Sequence, residues 1–181
     1  IYAPAVVSTV VKGTVFTWIF QDQLGLINYL IRSMGGTAIQ WANDPKFAMV
    51  MLIVATVWQR TGYNMVIYLA GLQGIPTDVM EAATIDGAST WQKFRYITLP
   101  LLKNTHMFVM ITCMIHAFRS FDLVYTMTQG GPLNATKTMV MYVYEQAFNK
   151  NYYGRAAAGG IVLFAFMVVL TLIRFRIEKE D

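Results

Sequence analysis

An all-α membrane protein is the fold class that this sequence predicts, and three observations support it. Hydrophobic residues make up 56% of the 181 residues and charged residues only 13%, roughly half the charged share of a soluble domain. The mean hydropathy is +0.45. Apolar residues gather in runs near the length of about 20 residues that crosses a bilayer. These runs are residues 2–20, 47–72, 106–125 and 156–175. We therefore expect a bundle of about four transmembrane helices.

Composition also excludes several classes of function. Cys113 is the single cysteine and lies inside an apolar run, which excludes a disulfide framework and a cysteine metal site. His106 and His116 have no carboxylate at the spacing of metal ligands, so we expect no metal. The net charge of +4 is small and scattered, and it gives little support for binding nucleic acid.

Nothing in the sequence predicts an enzyme. A phosphate-binding loop of the Gly-x-x-x-x-Gly-Lys-Ser/Thr type is missing, so we expect nucleotide to bind to another chain. The acidic residues Asp22, Asp44 and Glu145 belong to separate loops and form no paired-carboxylate or triad pattern. We expect no catalytic residue and no cofactor.

The first run, residues 2–20, is interrupted by Lys12. A lysine within a membrane is costly, so its side chain should face protein or water rather than lipid. Both a packing role and a role in a transport pathway remain open. The loop that follows carries a short amphipathic segment from Leu26 to Ile31, which favours a helix lying on the surface.

The second run, residues 47–72, is apolar in its first half and polar in its second. Arg60 and Asn64 are four residues apart and share one helix face, while Gln59 lies beside them in the sequence. A helix facing only lipid would not tolerate this cluster. Arg60 is therefore the strongest candidate for lining a water-filled pathway. The alternative is that these groups bond to one another and to neighbouring helices.

A polar segment, residues 76–101, separates the second and third runs. Asp78 and Glu81 have the spacing of a capping box, which predicts the start of a helix. Gly87 stands where a helix C-terminal cap belongs. Ala82 and Ala83 leave this helix slender, so it could press into a groove of another protein.

A second helix is predicted directly after the first. Ser89 and Gln92 repeat the capping-box spacing, and Pro100 is expected to close the helix and occupy the first turn of the next one. The segment should therefore be two short helices joined by an elbow at Gly87.

The order of residues in this segment resembles the EAA loop of binding-protein-dependent ABC importer permeases. The residues that carry the resemblance to the loop are Glu81, Ala82, Ala83, Asp86, Gly87, Leu99 and Pro100. The resemblance implies a MetI-like helical bundle in which this loop faces the cytoplasm and couples the membrane subunit to an ATPase subunit. The alternative is a connecting loop capped only for stability.

The resemblance also implies partners and a location. Such a permease works in the cytoplasmic (inner) membrane of a bacterium or archaeon, with ATPase subunits, a second permease subunit and an extracytoplasmic solute-binding protein. Relatives usually have six spans, so residues 1–181 are interpreted as one N-terminally truncated transmembrane domain. Both ends of the chain would then be cytoplasmic. Basic residues lie in loops on both sides, so the positive-inside rule does not decide this orientation.

The third run, residues 106–125, places His116 inside the membrane and ends in Arg119 and Asp122. Arg119 and Asp122 are three residues apart and could form a local ion pair. The alternative is that they contact the transported solute or the binding protein. The candidate solute-pathway residues are Gln59, Arg60, Asn64, His116, Arg119 and Asp122.

Residues 128–132, Thr-Gln-Gly-Gly-Pro, have the composition of a sharp turn. They also resemble a Thr-x-Gly-Gly-Pro signature of the carbohydrate branch of these permeases, which is maltose- or glycerol-phosphate-transporter-like. The next residues, 138–148, suit a helix resting on the outer surface. In the last run, 156–175, Gly159 and Gly160 would let a neighbouring helix approach closely.

The leading hypothesis is a permease subunit of an ATP-driven importer for a sugar or sugar-like solute. Three alternatives remain open. The first is a permease of the same superfamily for an amino acid or peptide. The second is an ion-coupled secondary transporter, with Lys12, Arg60 or His116 carrying the coupling charge. The third is a purely structural membrane scaffold.

Overall fold

The computed structural model describes residues 2–179, leaving aside the side chains of residues 173–175 and 177–179. The described residues form α- and π-helices and contain no β-strand, as the predicted all-α class requires. The α-helices are α1 (Ala3–Val6), α2 (Thr9–Ile19), α3 (Leu26–Ser33), α4 (Pro45–Gln73), α5 (Thr77–Ile85), α6 (Thr90–Lys93), α7 (Leu99–Leu101), α8 (Lys103–Phe118), α9 (Asp122–Met127), α10 (Met139–Tyr144) and α11 (Tyr153–Lys179). Two π-helices, π1 (Phe94–Thr98) and π2 (Glu145–Asn149), extend α6 and α10.

Helix α4 sets the length of the bundle. It begins with Asp44, whose carboxylate accepts a hydrogen bond from the Lys46 N–H (2.8 Å), and Pro45 occupies its first turn. Its 29 residues correspond to about 43 Å, close to the thickness of a bilayer with its headgroups. The loop directly before α4 and the segment directly after it are therefore at opposite ends of the bundle.

The buried core lies at the end of the bundle where α4 begins. It is formed by side chains of α2, α4, α9 and α10 together with the loop before α4. Its members are Phe16, Phe20, Trp41, Met51, Leu52, Ala55, Leu123, Val124, Met127 and Met141. At the other end, α5 buries only Ala83. The polar segment after α4 is thus attached to the bundle without a core of its own.

The first predicted span, residues 2–20, is not one continuous helix. Helix α1 ends at Val6, Val7 is extended, and α2 begins at Thr9. The Lys12 side chain is 4% exposed, and its Nζ donates a hydrogen bond to the Pro4 carbonyl (3.0 Å). Helix ends leave carbonyls without partners, so this lysine faces protein and stabilises the break.

The third predicted span, residues 106–125, is also broken. Helix α8 ends at Phe118, and α9 begins at Asp122. The Ser120 carbonyl between the two helices accepts a hydrogen bond from the Thr138 hydroxyl (2.8 Å). Hydropathy detects apolar runs but not such a break, because the partner that stabilises it comes from a distant part of the chain.

Among the described helices, α11 alone has both the length and the apolar composition to cross a membrane by itself, over Tyr153–Leu172. Helix α8 is only 16 residues long, and α4 carries Gln59, Arg60 and Asn64 in its second half. Gly159 lets α11 pack closely on α10, because a Cβ there would lie 3.0 Å from the Val143 side chain.

The loop between α2 and α4 is organised by one buried side chain. Asn28, with no exposed surface, donates from Nδ2 to the carbonyls of Asp22 (2.9 Å) and Ile39 (2.8 Å). Its Oδ1 accepts from the Ile39 N–H (3.1 Å) and from the Trp41 indole (3.0 Å). This one amide holds α3, as predicted a short helix, against the core.

Replacing Asn28 by Ala should lower the free energy of unfolding by roughly 3 kcal/mol, because buried carbonyl and N–H groups lose their partners. Asn43→Ala is the matched control. Its amide is exposed and donates one hydrogen bond, to Asp22 Oδ2 (3.0 Å), so we expect a loss of at most ~0.5 kcal/mol. Denaturation of the detergent-solubilised full-length permease would measure both. Equal losses would contradict the role given to Asn28.

The segment after α9 contains the predicted turn, in which the Gly131 N–H donates to the Thr128 carbonyl (2.9 Å). The segment that follows the turn is held by ion pairs. The Glu145 carboxylate accepts a hydrogen bond from Lys137 and a second one from Lys150 (2.7 Å). The hydrogen bond from Lys137, followed by that from Lys150, lowers the pKa of Glu145 to about 2.

This lowered pKa predicts a pH dependence. A carboxylate with a folded-state pKa below its unfolded value stabilises the fold above the unfolded pKa, and this contribution is lost as the pH falls toward about 2. Thermal unfolding of the wild type should therefore become easier between about pH 4.5 and 2. Glu145→Gln should remove that part of the pH dependence. An unchanged profile in Glu145→Gln would show that the cluster contributes nothing to stability.

Candidate coupling and solute sites

The polar segment after α4 begins with a helix that is capped differently from the prediction. Asp78 and Glu81 do not form a capping box, because α5 begins at Thr77 with Pro76 as its N-cap. Pro76 is extended (φ −60°, ψ 133°), which places Asp78 inside the first turn instead of before it. There its carboxylate interacts favourably with the positive end of the helix dipole.

The end of α5 forms the predicted cap at Gly87. Gly87 has φ +75°, a left-handed conformation that glycine adopts without strain. The Ala88 N–H donates to the Ala83 carbonyl (3.0 Å), and the Gly87 N–H donates to the Thr84 carbonyl (3.1 Å). These two bonds define a Schellman motif, so the chain turns sharply at a defined angle.

The second helix begins with the predicted capping box. The Ser89 hydroxyl accepts from the Gln92 N–H (3.3 Å), and the Gln92 side chain accepts from the Ser89 N–H (2.8 Å). The Lys93 ammonium donates to the Thr84 hydroxyl (3.1 Å) and thereby links the two arms. The elbow is consequently fixed by side-chain and backbone bonds on both sides.

Pro100 occupies the first turn of the next helix, α7, as predicted, but, contrary to the prediction, it does not close the second helix. Residues 90–101 continue through α6, π1 and α7, and Pro100 lies within α7. In π1 the hydrogen bonds reach one residue further, as from the Leu99 N–H to the Phe94 carbonyl. This wider turn relieves the clash that a proline ring causes in a regular α-helix.

We call residues 76–101 the elbow segment. Its surface is unusually apolar for an exposed region, since Ile85 is 86%, Trp91 69% and Tyr96 73% exposed. Ala83 is buried, and the other residues predicted for coupling are exposed. These exposed residues are Glu81, Ala82, Asp86, Gly87, Leu99 and Pro100.

A second site lies near the middle of α4. A cavity of about 260 Å³ opens between α2, α4, the end of α8 and the start of α9. Five of the six residues predicted for a solute pathway line it, and they come from two separate parts of the chain. They are Gln59, Arg60, His116, Arg119 and Asp122. The break between α8 and α9 is what brings the last two into the cavity.

The sixth predicted residue, Asn64, is not part of the cavity. Its Nδ2 lies 3.4 Å from the Cys113 Sγ and connects α4 to α8. Arg60 and Asn64 share one face of α4, but they do not belong to one site. One helical turn of α4 separates the cavity from the contact between α4 and α8. The predicted ion pair of Arg119 with Asp122 is not formed among the described residues.

Two of the residues that sequence reasoning missed in the cavity are threonines. Thr9 and Thr56 line it, and Gln59 donates from Nε2 to the Thr9 hydroxyl (3.2 Å). The spacing of Thr56 from Arg60 places both on one helix face, so Thr56 could have been found. Thr9 could not, because only tertiary packing brings it to α4.

Within the described part of the chain, no group of three His, Cys, Asp or Glu side chains could hold a metal ion. The residues that line the cavity carry hydrogen-bonding and charged groups.

Broken helices packed around a polar cavity, with an exposed helical elbow at one end, define this chain as a helical membrane protein with a polar interior. The chain belongs to the family described as binding-protein-dependent transport system inner membrane component, whose model matches residues 1–180. This membership confirms the resemblance found in the sequence and the membrane location.

Relatives of known assignment match nearly the whole chain. The lactose transport system permease protein LacF of Rhizobium radiobacter is 37% identical, over 99% of this chain and 62% of the relative. The trehalose/maltose transport system permease protein MalF of Thermococcus litoralis is 33% identical, over 97% of this chain and 59% of the relative. The chain thus spans about three-fifths of the length of these relatives.

A solved structure supports the fold. A bacterial ABC transporter involved in the import of the acidic polysaccharide alginate matches with a TM-score of 0.90 and 21% identity, over 99% of this chain and 63% of that chain. At this identity the match shows the fold alone, and it agrees with the predicted permease bundle.

Proposed function

We propose that this chain is a permease subunit of an ATP-driven importer for a sugar or sugar-like solute. The observation that carries the proposal is the elbow segment, a capped and exposed pair of helices at one end of a bundle whose middle holds a polar cavity. The chain itself would carry no catalytic chemistry, and ATP would be hydrolysed by a separate subunit.

The elbow segment is suited to transmit motion to the cavity. It is joined to α4 by the short linker 74–75 and continues into α8 at Leu102. The two helices touch beside the elbow, because a Cβ at Gly71 would lie only 2.6 Å from the Thr105 hydroxyl oxygen. A pull on the elbow would therefore move α4 and α8 together, and both helices line the cavity. Such a two-state element can couple ATPase closure to opening of the pathway.

This role implies an orientation and a set of partners. The elbow would face the cytoplasm against an ATPase subunit, which places both chain ends on that side. The opposite end, with α3 and α10, would face the solute-binding protein, and a second permease subunit would complete the pathway. The names of relatives for lactose and for trehalose and maltose and the Thr-Gln-Gly-Gly-Pro turn support a sugar as the solute.

A charge placed on the elbow tests the coupling. Ile85→Asp should abolish co-purification of the full-length permease with its ATPase subunit and reduce solute uptake at least tenfold, because an apolar contact is replaced by a desolvated carboxylate. The fold should be unaffected, since Ile85 is 86% exposed. Leu133→Asp is the matched control, at 89% exposure in the loop after α9. It should leave co-purification with the ATPase intact.

Normal ATPase binding and uptake by Ile85→Asp would reject coupling through the elbow. Loss of ATPase binding in Leu133→Asp alone would reverse the proposed orientation. The energy source distinguishes an ATP-driven importer from an ion-coupled secondary transporter. For the importer, uptake should stop when ATP is depleted and continue when the proton gradient is collapsed. The opposite result would indicate an ion-coupled secondary transporter.

A further inference from the structure

The charges that line the cavity do not balance. Two guanidiniums, from Arg60 and Arg119, face it together with one carboxylate, from Asp122. Among the described residues neither arginine forms an ion pair. The buried Lys12, within electrostatic range of Arg60, adds positive charge behind this wall, and its ammonium is bonded to a neutral carbonyl.

The helix ends compensate some of these charges but not all. Arg119 caps the C-terminal end of α8, and Asp122 lies in the first turn of α9. Each charge is opposite in sign to the helix end that it meets. Arg60, in contrast, lies near the middle of α4, away from either end of its own helix, and its described contact is with the neighbouring Tyr63 ring (5.7 Å).

An uncompensated arginine at membrane depth is costly and marks a functional position. An anionic group of a solute would supply the missing charge through charge-assisted hydrogen bonds, for which a guanidinium is well shaped. The remaining wall suits a polyol, since Thr56 and Gln59 offer hydrogen-bonding groups and Phe121 an apolar face.

We infer that the cavity binds the anionic group of an acidic solute, a sugar or polyol bearing a carboxylate or a phosphate, with Arg60 as its principal contact. This inference rests on the proposed function and narrows its solute class. Carboxylate and phosphate share the chemistry that the arginines recognise, and the experiment below separates them.

The test uses cells that hold the complete importer, with the full-length permease, its partner permease, ATPase and binding protein, and no other uptake system for the probes. The medium contains neutral oligosaccharides, galacturonate oligosaccharides and glycerol 3-phosphate. Anion-exchange chromatography of the medium shows what is removed. We expect ATP-dependent removal of an acidic fraction, and the fraction removed identifies carboxylate or phosphate as the group recognised.

Variants test whether uptake of the acidic fraction depends on the cavity. Arg60→Gln should reduce acidic uptake roughly tenfold or more, as the loss of a charge-assisted hydrogen bond predicts, while Arg60→Lys should retain a substantial part of it. Arg155→Gln is the matched control, because its guanidinium lies over the Tyr152 ring (4.9 Å) outside the cavity, and its uptake should equal that of the wild type. A thermal unfolding profile unchanged in Arg60→Gln confirms that the variant is folded.

Removal of the neutral fraction alone would overturn the inference and leave the proposed importer intact. Undiminished acidic uptake by Arg60→Gln would overturn it as well. Failure to remove any fraction in an ATP-dependent way would reject the proposed function itself, and the inference with it.

Discussion

The structure depends on one constraint: a polar group inside an apolar bundle must find its partner within the protein, since lipid offers none. No buried side-chain nitrogen or oxygen of the described residues lacks a hydrogen-bond partner. Asn28 meets the constraint for a whole loop. Lys12 and Thr138 meet it at the two helix breaks, where each bonds to a backbone carbonyl.

The breaks in turn shape the cavity that we propose as the solute site. An uninterrupted third span would carry Arg119 and Asp122 along one straight helix. The break after Phe118 instead turns both residues toward α4, and Arg60 lies on the facing wall of the cavity. Groups that serve the fold are thus paired internally, whereas the two arginines of the cavity form no ion pair among the described residues. This difference in pairing is the basis on which we propose that the cavity arginines contact the solute.

The elbow segment follows a different logic, since it contributes almost nothing to the core. Its shape is fixed locally by the Schellman motif at Gly87 and the capping box at Ser89. Its apolar residues, such as Ile85, therefore remain free to meet another protein. A rigid and exposed element suits the connection to an ATPase subunit that we propose, and the contact at Gly71 extends that rigidity to the helices of the bundle.

The helical membrane class, the family and the elbow at Gly87 could be predicted from the sequence, because composition, motif order and capping act over short distances along the chain. The sequence also predicted Arg60 as a candidate pathway residue from its cost in a membrane, and the structure places Arg60 in the wall of the cavity. Only the folded structure shows where the spans break, that Asn64 lies outside the cavity and that Thr9 lines it. The bonds responsible connect residues far apart in sequence, such as Gln59 with Thr9 and Thr138 with Ser120, and no periodicity of a single helix records such pairings.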